Sequence, residues 1–328
     1  MKPLWTLSPQ SHRRKMRSAY LYRALADYLG LVAALAALIL FFSLTTEYFF
    51  TLTTFRTIAN QIPDAVIIAT GMTFVLIIAG IDLSVGSVLA LSGAVLGLAL
   101  TGWQLPLLLA LPICVAVGLG CGAVNGILVA GWRLPAFIVT LGMLEAARGG
   151  AYLVTGSKTH YIGGSIEWIS ARGAMGFSIP FAVALVVVAV SQLMLSHTIF
   201  GRSMFAIGGN EEAARLSGIP VGRVKTAVYT LCGGLVALAA VIHCARLTAA
   251  DPNAGIGYEL QAIAAVVIGG TSLMGGRGSV INTFIGVIII AVLENGLVQL
   301  GAQEPIKRLV TGGVIIVAVV LDYYRRRV

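Results

Sequence analysis

Four stretches without a charged side chain dominate this sequence: 19 residues between Asp27 and Glu47, 50 between Asp82 and Arg133, 29 between Arg172 and Arg202, and 20 between Lys225 and Arg246. A helix needs about 20 predominantly apolar residues to cross a bilayer. Segments of that length, repeated along one chain, restrict it to a lipid-embedded fold. Runs such as LGLVAALAALILFFSLTT are apolar almost throughout, whereas a membrane barrel strand of about 10 residues alternates apolar with polar. The expected fold is therefore all-α, a polytopic transmembrane helical bundle. Composition agrees: 58% of residues are hydrophobic and 11% charged, against about 25% charged in soluble domains, too few to cover a water-facing surface.

Apolar runs and their breakers place spans near 28–46, 62–80, 83–101, 105–131, 134–154, 174–197, 226–246, 258–276, 279–300 and 306–322. That makes about ten, with eight as the lower limit, because two segments are poor spans. GIDLSVGS leaves almost no room for a loop, and GGTSLMGGRGSVINTFIG is glycine-rich. Either reads as a broken or re-entrant helix. AGIDLSVGS and GGTSLMGGRGS also echo each other loosely, as an internal duplication would.

With the N-terminus inside, 15 of the 22 Lys and Arg fall on inside segments. This bias predicts both termini on the cytoplasmic side and divides the chain into a basic tail (1–27), one transmembrane domain (28–322) and a basic tail (323–328). The formal charge of +9 is accounted for by that placement and requires no nucleic acid. The basic start leads into an apolar run without a small-residue cleavage site, so the first run reads as a retained span. Cys114, Cys121, Cys232 and Cys244 lie in apolar segments without CxxC spacing and read as core residues, not metal ligands. His197 and His243 are isolated at span ends.

Gly118, Gly122 and Gly126 recur on one helix face, a spacing that admits close backbone approach, either within the chain or at a subunit contact. Asp82 stands between apolar runs, flanked by Gly80 and Gly86. A carboxylate inside a membrane costs about 3 kcal/mol at a helix centre, so it faces protein or a water-filled path; alternatively it caps the helix beginning near Ser84. Glu145 and Arg148, at i and i+3 in LEAARGG, are expected to neutralise each other. Asn125 and Asn282 are expected to hydrogen-bond across helices. Gly80, Asp82, Ser84, Gly86, Asn125, Glu145 and Arg148 are the candidates for a translocation path or its hinges.

The longest polar insertion is residues 200–225. Within it Asn210 caps a short helix with Glu211 and Glu212 in its first turn, where carboxylates meet the positive end of the helix dipole. Gly218 and Pro220 end it.

Three segments resemble the ribose-type permease family of ATP-binding-cassette importers: GGNEEAARLSGI (208–219), ATGMTFVLIIAGIDLSVGS (69–87) and YELQAIAAVVIGGTSLMGGRGS (258–279). The resemblance runs from about residue 47 to 322 in consistent order. It implies the translocation subunit of a sugar importer, with ribose or a similar monosaccharide as substrate; relatives for galactose, xylose and autoinducer-2 share much of the pattern. It also implies a coupling loop (Gly208, Gly209, Asn210, Glu211, Glu212, Ala213, Ala214, Gly218, Ile219) that docks a separate ATPase. The expected assembly is a homodimer in the bacterial inner membrane, in contact with lipid and served by a periplasmic sugar-binding protein. The chain lacks G-x-x-x-x-G-K-[ST], so ATP is used by the partner and no cofactor is expected here. No H-E-x-x-H or G-x-S-x-G motif supports an enzyme. A competing reading is an ion-coupled secondary transporter with Asp82 and Glu145 as ion-linked carboxylates.

Overall fold

The computed structural model describes residues 28–171, 173 and 175–325; the N-terminal tail and the last three residues lie outside that range. It is helical almost throughout. In chain order the helices are α1 (Tyr28–Thr45), α2 (Leu52–Gln61), α3 (Pro63–Ile77), α4 (Val85–Gly97, continued by a π turn to Gly102), α5 (Leu107–Gly131), α6 (Ala136–Thr155), α7 (Gly164–Glu167), α8 (Ile179–His197), α9 (Ile199–Gly209), α10 (Glu211–Leu216), α11 (Val221–Leu247), α12 (Tyr258–Ile268), α13 (Val280–Gln299) and α14 (Glu304–Arg325). Two short strands, β1 (His160–Tyr161) and β2 (Ala249–Ala250), pair antiparallel. They join the α6–α8 and α11–α12 connections at one end of the bundle.

Seven of the described helices are long and apolar enough to cross a membrane. An eighth is α2 with α3, bent by 51° where Pro63 follows Ile62. The expected ten is thus too many. The predicted span at 258–276 is an 11-residue helix followed by irregular chain to Ser279. The one at 306–322 belongs to a helix opening on EPIKR and closing on DYYR, which leaves only 13 charge-free residues, 309–321.

The core forms around α11, which packs along α5, α3 and α4. The glycine stripe explains the closest of these approaches. A Cβ on Gly118 would lie 2.3 Å from Gly233 O, one on Gly122 2.2 Å from Tyr229 O, and one on Gly126 2.7 Å from Thr226 Cα. These glycines meet α11 of the same chain, which decides for packing within the chain. All four cysteines are free, and three are buried.

Both poor spans are breaks between half-helices, and both half-helices end alike. At α3, Ala79 N–H donates to Leu76 O and Gly80 N–H to Val75 O, with Ala79 at φ +57°. At α12, Gly270 N–H donates to Val267 O and Thr271 N–H to Val266 O, with Gly270 at φ +81°. Each is a Schellman closure, which satisfies the last carbonyls by turning one residue left-handed. The breaks touch: Gly276 N–H donates to Ile77 O at 2.9 Å, and the hydroxyls of Thr73 and Thr283 pair at 2.8 Å just above.

Candidate functional site

The break between α3 and α4 holds a buried polar cluster. Asp82 is 2% exposed, and its Oδ1 accepts from the backbone N–H of Ser84 (2.9 Å) and from Ser84 Oγ–H (2.6 Å). Ser84 Oγ in turn accepts from Asn125 Nδ2 on α5 at 3.0 Å. Asn125 Oδ1 is buried without a partner among the described residues. The residue at the α4 N-cap is Ser84, and no side chain caps that helix. Asp82 therefore closes a turn within the break rather than capping α4. Tyr229 of α11, fully buried, brings its hydroxyl to 2.5 Å from where a Gly80 Cβ would stand. A Cβ on Gly86 would meet Gly255 O at 2.1 Å, so the first turn of α4 lies against the segment entering α12.

Arg148 does not pair with Glu145. Its Nη1 donates to Pro252 O (2.5 Å) and Ala254 O (2.8 Å), while Glu145 is exposed and forms no ion pair among the described residues. The non-helical chain after β2 presents carbonyls without intrahelical donors, and the Arg148 guanidinium donates to these acceptors in place of the carboxylate on its own helix. Gly80, Asp82, Ser84 and Asn125 thus come together. Gly86 and Arg148 reach a neighbouring loop, and Glu145 joins neither.

At the other end of α11, the α9–α10 corner rests on both breaks. Asn210 Oδ1 accepts from Ala213 N–H at 2.9 Å and caps α10. Gly218, at φ +81°, closes the helix through Gly218 N–H to Arg215 O and Ile219 N–H to Ala214 O. Glu211 accepts from Lys225 Nζ (2.5 Å) and Arg215 Nη2 (3.0 Å), tying α10 to α11. Partial burial pushes the Glu211 carboxyl up; Lys225 and then Arg215 outweigh it and hold it below its ordinary range. Glu212 is exposed beside Arg215 at 3.9 Å. Preceding α10, Gly208 sits where a Cβ would fall 1.8 Å from Ile77 O and 2.4 Å from Gly276 N. Gly275 packs on Ala79 and on Gly208 O. Only a residue without a side chain fits between the two breaks.

A second polar cluster escaped sequence reasoning. Asp64, 1% exposed, accepts through Oδ2 from Arg246 Nη2 (2.7 Å) and lies 2.9 Å from His243 Nδ1. The His243 and Tyr258 rings meet in a T-shaped contact, 6.0 Å between centroids. His243 is therefore not isolated. Its partner is 179 residues away, and the available signal was a lone acid opening one apolar run and a lone Arg closing another. No group of three or more potential metal ligands occurs among the described residues.

The sequence model of the family described as "Branched-chain amino acid transport system / permease component" matches residues 54–319. The chain belongs to this permease family. Its role is accordingly transport, as a multi-pass membrane protein. The permease is 41% identical over 294 residues to the ribose import permease protein of Escherichia coli (strain K12), covering 88% of this chain and 91% of that one. Identity to the ribose import permease protein of Bacillus subtilis (strain 168) is 38% over 320 residues, 95% and 97% of the two chains. To the D-allose transport system permease protein of Escherichia coli (strain K12) it is 38% over 299 residues, 90% and 91%. No solved structure matches the permease.

Proposed function

We propose that this permease is the translocation subunit of an ATP-driven importer of a monosaccharide, ribose or a close relative, in the bacterial inner membrane. Ribose import relatives that match nearly end to end support the substrate class. The observation that carries the mechanism is Gly208, wedged between Ile77 O and Gly276 N. The corner that precedes α10 touches both broken helices, so a push on α10 reaches the two irregular segments without passing along a full span.

In this reading a separate ATPase docks on Gly208–Ile219, a periplasmic binding protein delivers sugar at the β1–β2 end, and two copies of the chain assemble. Both termini face the cytoplasm, as does α10. The chain itself holds no cofactor. ATP binding and hydrolysis shift the populations of outward-facing and inward-facing states. A capped six-residue helix, tied to α11 through Glu211–Lys225, is rigid enough to transmit that motion.

The test is reconstitution of the permease with its cognate ATPase and binding protein in liposomes. ATP-dependent uptake of D-ribose, D-allose or L-arabinose is expected, and deleting Glu211–Ser217 should abolish ATPase association. Uptake by the chain alone, driven by an ion gradient without ATP, would replace this reading with the secondary transporter.

A further inference from the structure

Between α3, α12 and α13, near the β1–β2 end, lies a cavity of about 560 Å³, within the roughly 300–1,000 Å³ usual for small-molecule sites. Its floor is apolar, with Ile68, Ala265 and Ile290; its upper wall carries Asp64, Arg246, Tyr258, Gln261, Glu294 and Asn295. None of these six belongs to the path candidates read from the sequence.

We propose that this cavity is a monosaccharide-binding vestibule contained within one protomer, an inference that rests on the sugar-import reading above. Three features select the ligand. First, the charges lining the cavity match two against two: Asp64 pairs with Arg246 at 2.7 Å, and Glu294 faces the same space as Lys307, whose ammonium bridges Glu304 at 2.5 Å. A neutral ligand enters such a site without leaving a charge uncompensated, whereas an ion does not. Second, the wall mixes amides, carboxylates and a guanidinium. Vicinal hydroxyls each donate and accept, and planar groups of both kinds meet them in pairs. Gln261 Nε2 and Glu294 Oε1 already approach at 3.4 Å across the opening, a long contact that a hydroxyl can replace. Third, the Tyr258 ring lines the cavity, and an aromatic ring is a suitable packing partner for the apolar side of a sugar.

The position links this vestibule to the far end of the bundle. Its walls α3 and α12 are the two half-helices whose C-terminal breaks meet at Gly208. A movement of α10 therefore shifts two walls of the cavity together.

The experiment uses the full permease in lipid nanodiscs and in the reconstituted importer. Asn295→Cys is labelled with a membrane-impermeant maleimide, with and without millimolar D-ribose, and with mannitol as a control. D-ribose should slow labelling at least twofold, and mannitol should not. In the importer, Ala291→Trp, which fills the cavity, should lower uptake at least tenfold while the ATPase still co-purifies. Gln261→Ala should lower uptake severalfold, and it carries the test if the Trp variant does not insert. Wild-type uptake by both variants, with labelling indifferent to sugar, would overturn the vestibule and leave the importer standing. So would labelling that responds to phospholipid headgroup and not to sugar, which marks a lipid-filled groove. Absence of uptake of all three sugars by the wild-type importer would remove the reading on which the vestibule rests.

Discussion

Asp82 sits 2% exposed in the break after α3, with Oδ1 occupied by both donors of Ser84. Asp82→Asn keeps an acceptor in the same place, so insertion and folding should persist while sugar uptake falls if the carboxylate charge serves transport. Asp82→Ala removes both bonds and should destabilise by about 3–6 kcal/mol, since each hydrogen bond to a charged group contributes about 1.5–3. Uptake rates and thermal unfolding in detergent separate the two; wild-type uptake by Asp82→Asn would leave the residue only its part in the turn. At the α10 corner, Glu211 has a folded-state pKa depressed by Lys225 and Arg215. Its ion pairs stabilise the fold above the unfolded carboxylate range, near about 4.3, and that contribution is lost as pH falls through the lower folded value. A 13C titration of the Glu211 carboxyl should therefore have its midpoint below that of a peptide, and Lys225→Met should raise it. A midpoint unmoved by Lys225→Met would mean the pair does not form in solution.

At the scale of helices, α5 separates a packed face from an open one. A Cβ on Gly122 would strike Tyr229 O, whereas one on Gly120 meets nothing within 4 Å. Gly122→Ala should destabilise by about 1–3 kcal/mol, the usual cost of overpacking, and Gly120→Ala should be neutral or better. Thermal unfolding in detergent checks the pair, and equal midpoints would contradict the described α5–α11 contact. The small-residue stripe was legible because its period is local. Span number was not. Hydropathy registers how long a chain stays apolar, and α12 with its glycine-rich exit stays apolar without staying helical, since Gly270 closes the helix left-handed and Gly275 and Gly276 also take positive φ. α14 is the converse, helical from Glu304 to Arg325 but charge-free only over 309–321.

Across the whole molecule, the sequence showed the fold class and the polar corner at 208–219 because both are contiguous. What it missed depends on residues far apart. Arg148 prefers carbonyls 104 and 106 residues away to the acid three residues before it, and spacing along one helix carries no information about that loop. Asp64, His243 and Arg246 are likewise joined only by folding. Nor does the motif reveal that its first glycine is a contact point and its second is free: a Cβ on Gly209 meets nothing within 4 Å, while one on Gly208 collides with backbone from both breaks. That contrast tests the proposed coupling most directly. In the reconstituted importer, Gly208→Ala should leave α10 available and the ATPase bound, yet reduce sugar uptake per ATP hydrolysed at least tenfold; Gly209→Ala should match the wild type. Wild-type coupling in Gly208→Ala would contradict the account, because force from the ATPase would then reach the spans by another route.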